Sequence, residues 1–327
     1  MSDQTPLPES ESPAKLSGQE PLFIVFNGGS GNDDSSSTLK KIQELLDQAG
    51  RTHTVLAVDQ PSKLPQVAER AVKMATEAGG VVVAAGGDGT LNAVAAAVLP
   101  SGLPFGILPR GTFNYFGRTY GISRETEEAV ASLLDARIEP VQVGLLDGRP
   151  FLVNASLGLY PQLLEDREAY KQKLGRRRWV ALISAIVTLM RAPPQLNLEL
   201  SSRGQRQMLR TPTLVVGNNA LQLEQLGLPD VAHLDDNRLV AMAAKPVGTL
   251  ALYWLMVMGA MSRLGEAANV VSFGFDTLTV RLRGGRRRIK VAMDGEIFWT
   301  RAPLVFSVSP RRLQLLVPRD DSRLDRA

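Results

Sequence analysis

The chain has no cysteine and only two histidines, His53 and His233, among its 327 residues. Disulfides, cysteine-ligated zinc and iron–sulfur clusters are thereby excluded, and the composition suits a reducing cytoplasm. Any bound metal must draw on oxygen ligands or on those two histidines. Long apolar runs are missing as well. The two most apolar stretches, Trp179 to Met190 and Leu250 to Met261, fall well short of the roughly 20 residues that span a bilayer, so no transmembrane helix is expected. Residues 1–20 carry Pro6, Pro8 and Pro13 among serines and acidic residues. With no apolar run, they are expected to form a disordered tail rather than a secretory signal.

What is present is a chain with 44% hydrophobic content, long enough to bury a substantial core and to form two domains. The formal charge is +4, and basic residues bunch in the second half as Arg176-Arg177-Arg178 and Arg286-Arg287-Arg288. Such bunching suits an anionic membrane or nucleic acid, or is no more than a solvated basic face. No nucleic-acid-binding signature accompanies it, so no nucleic-acid partner is expected.

From Pro21 to about Gly144, short apolar runs alternate with helical periodicity, which predicts an α/β domain on a parallel, Rossmann-like sheet. Leu22 to Phe26 reads as a strand that runs into Asn27-Gly28-Gly29-Ser30-Gly31. A helix follows from Thr38 to Gln48, with Leu39, Ile42, Leu45 and Leu46 on one face. A strand at Thr54 to Val58 precedes a helix from about Leu64 to Ala78. Val81 to Ala85 is short, continuous and β-branched, as a strand buried on both faces should be. Thr90 is placed to cap the next helix, and Phe105 to Leu108 is the fourth strand. After Leu145 the pattern changes to strand-like segments separated by long connections: Phe151 to Leu157, Leu196 to Leu200, Thr213 to Val216, Leu239 to Ala243, Leu278 to Leu282 and Ile289 to Met293. This predicts a β-rich, sandwich-like second domain with inserted helices over 145–303, then a flexible C-terminus over 319–327. Residues 304–318, which contain the strand-like Leu313 to Val317, can belong to either domain.

The chemistry concentrates at Gly86-Gly87-Asp88-Gly89-Thr90. A strand, a glycine-rich turn and a helix make a phosphate site, because glycines admit close backbone approach and the helix N-terminus offers unpaired amides to an anion. An ordinary turn explains a single glycine pair, but not this density of small residues around one carboxylate.

Gly86 to Val94, GGDGTLNAV, resembles the signature shared by diacylglycerol kinases, sphingosine and ceramide kinases and bacterial lipid kinases. Phe105 to Arg118, FGILPRGTFNYFGR, resembles that family's second signature. Asn27 to Gly31 stands where its first loop lies, and Met293-Asp294-Gly295-Glu296 is similar to its terminal Asp-Gly-Glu motif. NAD kinases share the glycine loop, but the second signature and the Asp-Gly-Glu fit the lipid kinases better.

The resemblance implies a cytoplasmic enzyme associated peripherally with the membrane. It would use ATP and Mg2+ to phosphorylate a lipid hydroxyl at an anionic membrane surface, most simply that of diacylglycerol or a related lipid. It further implies that Gly86, Gly87, Asp88, Gly89, Thr90 and Asn92 surround the ATP phosphates together with Asn27, Ser30, Gly31 and Thr112. Arg110 either neutralises phosphate or is solvated. Glu296 is the first candidate for the catalytic base and Asp88 the second. Asp88 and Asp294 are candidate magnesium contacts. A second magnesium would use Asp236 and the carbonyls of His233 and Arg238, with Asn237 standing where the family has glycine. Gly28 in place of proline and Asn114-Tyr115 in place of Asn-Asp also depart from the pattern. Trp179 to Met190 and Leu250 to Met261 either line an acyl groove, with Arg176 to Arg178 and Trp179 at headgroups, or are core. A homodimer is compatible with the family. A soluble-nucleotide kinase and a non-catalytic lipid- or nucleotide-binding regulator remain the alternatives.

Overall fold

A computed structural model describes residues 16–29, 35–111, 114–159, 161, 195–218, 237–245, 270–284 and 287–320. The first half runs β1 (Leu22–Asn27), α1 (Ser35–Gln48), β2 (His53–Val58), α2 (Leu64–Ala78), β3 (Val81–Gly86), α3 (Asp88–Val98), β4 (Pro104–Pro109), α4 (Tyr115–Thr119), α5 (Thr126–Leu134) and β5 (Ala136–Val141). The second half is built from strands: β6 (Gly144–Leu146), β7 (Arg149–Phe151), β8 (Asn154–Gly158), β9 (Leu196–Ser202), β10 (Gln205–Thr211), β11 (Thr213–Gly217), β12 (Leu239–Ala244), β13 (Val270–Phe275), β14 (Thr277–Leu282), β15 (Arg288–Met293), β16 (Glu296–Arg301), β17 (Leu304–Val308) and β18 (Leu313–Pro318).

The first sheet has the order β2-β1-β3-β4-β18-β5. Its strands are parallel except β5, which runs antiparallel to β18. Side chains alternate between two cores, as strand geometry requires. Phe23, Val25, Val82, Ala84, Phe105 and Ile107 pack under α2 and α3. Leu22, Ile24, Val81, Val83 and Ala85 pack against α1 and α5 on the other face. Helices on both faces explain why β3 is uninterruptedly apolar and fully buried. Packing against this body begins at Leu16, which touches the second core, while Glu20 pairs with Arg51 at 3.5 Å.

Two antiparallel sheets, β10-β9-β14-β17-β6-β7 and β13-β12-β11-β8-β15-β16, form the second unit. Leu198, Leu278 and Phe306 of one share a core with Leu157, Leu214 and Val291 of the other, so the unit is a sandwich. The segment expected as one strand from Phe151 to Leu157 is two, β7 and β8, because the amides of Leu152 and Val153 turn away to a distant carboxylate. The chain passes from the first unit to the second at Gln142–Val143 and returns after Val308. The two passages are joined where the Ser309 amide donates to the Val143 carbonyl at 2.8 Å. β17 pairs within the sandwich, whereas β18 returns to the first sheet between β4 and β5.

Residues 1–15, Arg176 to Arg178, both apolar stretches, Arg286 and residues 321–327 lie outside the described residues. Among the described residues no helix is long and apolar enough to cross a membrane.

Candidate active site

The glycine loop connects β3 to α3. Gly87 is extended and caps α3, which begins at Asp88. Thr90 therefore lies inside the first turn rather than at the cap expected for it. Its hydroxyl instead accepts a hydrogen bond from Asn27 Nδ2 at 2.9 Å, tying the end of β1 to the start of α3. Gly86 is required by this contact: a Cβ there would stand 2.6 Å from the Thr90 Cβ and Oγ1. The loop after β4 closes from the other side. The Arg110 amide donates to the Gly86 carbonyl at 2.9 Å, and a Cβ on Gly111 would lie 3.1 Å from Gly87 Cα.

Arg110 is half-buried and packs on its neighbours. Its guanidinium lies 4.7 Å from the Phe26 ring centre, and Nη1 donates to the Asn27 carbonyl at 3.3 Å. Asn114 is fully buried and has a left-handed backbone, φ 47°. Asparagine tolerates that conformation because its side chain bonds locally. Here Oδ1 accepts from the Gly111 amide at 2.9 Å and Nδ2 donates to the Gly111 carbonyl at 2.6 Å. The Asn114 amide in turn reaches the Asp88 carboxylate.

Asp88 and Asp294 come near one another where α3 faces the β15–β16 turn, and Glu296 lies against Gly89 on the same helix. Burial pushes the Asp88 carboxyl above its ordinary range, against the opposing pull of the Asn114 amide. Its Oδ1 is buried and has no hydrogen-bond partner among the described residues. Such an orphaned acceptor is costly unless a cation or donor completes it.

Asp294 is buried in the turn with φ 47°. It accepts the amides of Leu152 at 2.7 Å and of Val153 and Asn154 at 2.9 Å. The Asn92 side-chain amide, oriented to satisfy its neighbours, donates to Asp294 Oδ2 at 3.2 Å and to the Pro150 carbonyl at 3.1 Å. Burial lifts the Asp294 carboxyl to about 6 despite the three backbone amides, and the nearby Asp88 charge pushes it the same way.

Glu296, the first residue of β16, is exposed to solvent. Its Oε1 lies only 3.1 Å from the position a Cβ on Gly89 would take, and partial enclosure raises its pKa.

Asp88, Gly89 and Asn92 on α3 thus face Asp294 and Glu296 across the boundary between the two units. Ser30, Gly31, Thr112, His233 and Asp236 lie outside the described residues. No cluster of three metal-ligating side chains occurs among the described residues. The donor set nevertheless fits magnesium held mainly by phosphate oxygens and water, with the unpartnered Asp88 oxygen as the protein ligand. Asp294 fits a direct-ligand role less well, since backbone amides occupy both its oxygens. The Arg238 carbonyl accepts Gln142 Nε2 at 3.1 Å, and Asn237 adopts φ 58°.

Sequence reasoning missed two residues at this boundary. Asn218 is buried, and its Nδ2 donates to the carbonyls of Gln142 at 3.1 Å and Leu152 at 3.0 Å. Its Oδ1 accepts Gln142 Nε2 at 2.8 Å. Neither residue sits in a motif. The only available signal was a polar residue at the end of an apolar strand.

Residues 21–146 match the diacylglycerol kinase catalytic domain. This segment, less than half of the chain, is thus similar to the diacylglycerol kinase catalytic domain. Similarity extends beyond the segment: the chain is 24% identical over 304 residues to a diacylglycerol kinase of Staphylococcus haemolyticus, covering 91% of this chain and 88% of that one. It is 30% identical over 150 residues to a diacylglycerol kinase of Bacillus subtilis, covering 44% and 47%. In fold it is similar to a diacylglycerol kinase from Bacillus anthracis, with a TM-score of 0.67 at 18% identity over 93% of this chain and 99% of the other. The glycine loop, the second signature and β1 all fall inside the matched segment. Asp294 and Glu296 fall outside it and reach the site through the fold.

Proposed function

We propose that the protein is a lipid kinase that uses ATP and Mg2+ to phosphorylate the hydroxyl of diacylglycerol or a closely related lipid. It acts from the cytoplasmic side as a peripheral membrane enzyme. The observation that carries this reading is Glu296, a solvent-facing carboxylate of raised pKa set against Gly89 in the phosphate loop. The match of residues 21–146 to the diacylglycerol kinase catalytic domain and the similarity along most of the chain to a bacterial diacylglycerol kinase support the lipid acceptor.

In this mechanism α3's first-turn amides and the flanking glycines receive the phosphates of ATP. Magnesium, when bound beside Asp88, offsets phosphate charge. Glu296 accepts the proton as the lipid hydroxyl oxygen bonds to the γ-phosphorus, and the bond from that phosphorus to the β-bridging oxygen breaks to release ADP. A base needs a raised pKa and an open side, and Glu296 has both. Asp88 is enclosed beneath the loop, where its unpartnered oxygen suits a cation better.

Purified protein given labelled ATP, magnesium and a lipid panel in mixed micelles should phosphorylate a glycerolipid. Glu296→Gln should lower turnover by about 10²–10⁴-fold while nucleotide affinity is retained. Undiminished turnover in that variant would remove Glu296 as base. NAD phosphorylated without lipid would favour a soluble-nucleotide kinase, and ATP bound without transfer to any acceptor would favour a regulator.

A further inference from the structure

We propose that the outward face of the β15–β16 hairpin is the surface by which the protein docks on an anionic lipid bilayer. This rests on the lipid-kinase reading and adds the place of contact.

The register pairs Arg288 with Arg301, Lys290 with Trp299 and Ala292 with Ile297. Strand alternation places these six on one face. Ile289, Val291 and Met293 point the other way, into the sandwich core. Ala292 is buried and Ile297 half-buried, so the open part of this face is the end that carries the three cations and the indole, and the set contains no carboxylate. Glu296 belongs to the inward alternation with Phe298 and Thr300.

Trp299 is 58% exposed, and among the described residues only Met208 is a more exposed large hydrophobic side chain. The Lys290 ammonium lies 5.1 Å and the Arg288 guanidinium 5.7 Å from its ring centre. A large aromatic held out by cations, on a strand at the edge of its sheet, is costly in water. It is favoured at the headgroup layer, where the ring is half desolvated and cations meet lipid phosphates.

The charge pattern selects the occupant. A second copy laid face to face on this surface would bring its three cations up against the same three cations, and like charges repel. An anionic bilayer neutralises them. Position also favours the bilayer: Glu296 is three residues from Trp299 along β16, about 10 Å. Docking through the indole would hold that glutamate, on the opposite face of the same strand, close to the bilayer surface from which the lipid acceptor comes.

The test uses full-length protein sedimented with vesicles of phosphatidylcholine alone or mixed with phosphatidylglycerol. Binding should require phosphatidylglycerol and weaken with salt. Trp299→Ala and Lys290→Glu should each weaken binding by about tenfold, and Trp299→Phe should restore most of it. Turnover on a short-chain diacylglycerol in detergent micelles should persist in these variants, which also shows that they fold. Unchanged vesicle binding in the Trp299→Ala, Lys290→Glu double variant would overturn the proposal. So would equal binding to neutral vesicles, loss of a wild-type dimer in the variants by light scattering, or single-stranded DNA bound more tightly than anionic vesicles. If wild type turns over no lipid in micelles, the kinase reading fails, and the sedimentation results still decide the docking surface.

Discussion

Gly86 and Gly89 stand three residues apart in one motif, yet they keep different neighbours at a distance. A methyl group on Gly86 would meet the Thr90 side chain at 2.6 Å, where Thr90 is buried and bonded to Asn27. Nothing there can yield without moving β3 or α3. Gly86→Ala should therefore lower unfolding free energy by about 1–3 kcal/mol, seen as a lower urea midpoint. A methyl on Gly89 meets only the end of the solvent-facing Glu296 side chain at 3.1 Å, which can swing aside. Since alanine is also the better helix former by about 0.5–1 kcal/mol, Gly89→Ala should keep or raise stability while turnover falls. Equal stability loss in both variants would mean that Glu296 cannot swing aside, and undiminished turnover in Gly89→Ala would mean that it is not held against the loop. The motif made both glycines legible in the sequence. It could not say which atom each one avoids, because Glu296 lies more than two hundred residues away. Asn114 was legible only as a departure from a pattern, and its work of shaping the turn and reaching Asp88 depends on a left-handed backbone that no residue spacing encodes.

At the scale of elements, the junction between β7–β8 and the β15–β16 turn hangs on Asp294. Its three amide partners are about 140 residues away in the chain, which is why Phe151 to Leu157 reads as one strand and folds as two. β10 escaped notice for another reason: its residues are polar and mostly exposed, so an edge strand shows no apolar alternation. The Asp294 carboxyl rises from an ordinary 3.8 to about 6 on folding. Between those values the folded state holds a proton that the unfolded state has lost. Its contribution is thus full below about pH 4 and is lost as pH rises through about 6. The difference is on the order of 3 kcal/mol. In chelator, unfolding free energy should fall over that window in wild type, and the slope should be smaller in Asp294→Asn. It should not vanish, because burial raises the Asp88 carboxyl too and gives a contribution of the same sign. An identical slope in both proteins would show that Asp294 is already ionised at low pH, with its three amides outweighing burial.

For the whole molecule, the alternation of strands and helices made the parallel sheet readable, and sustained apolar character marked its central strands. The destination of Leu313 to Val317 was not readable, because an apolar run of that length suits either sheet and only its partners decide. β18 enters between β4 and β5 and is the last strand described, so the first sheet is completed by a segment far along the chain. Leu313, Leu315 and Val317 fill the core under α2 and α3, while Leu316 fills the core on the other face. At about 1.5–3 kcal/mol for each buried side chain, their loss rivals the entire stability of a small domain, about 5–15 kcal/mol. The segment that matches the family, 21–146, should therefore not be an independent folding unit. A fragment of residues 16–146 should show no cooperative thermal transition and bind no ATP. The same fragment with residues 309–320 attached through a flexible linker should recover both. A cooperative transition in the unextended fragment, at the midpoint of the extended one, would show that β5 can close the sheet against β4 without β18.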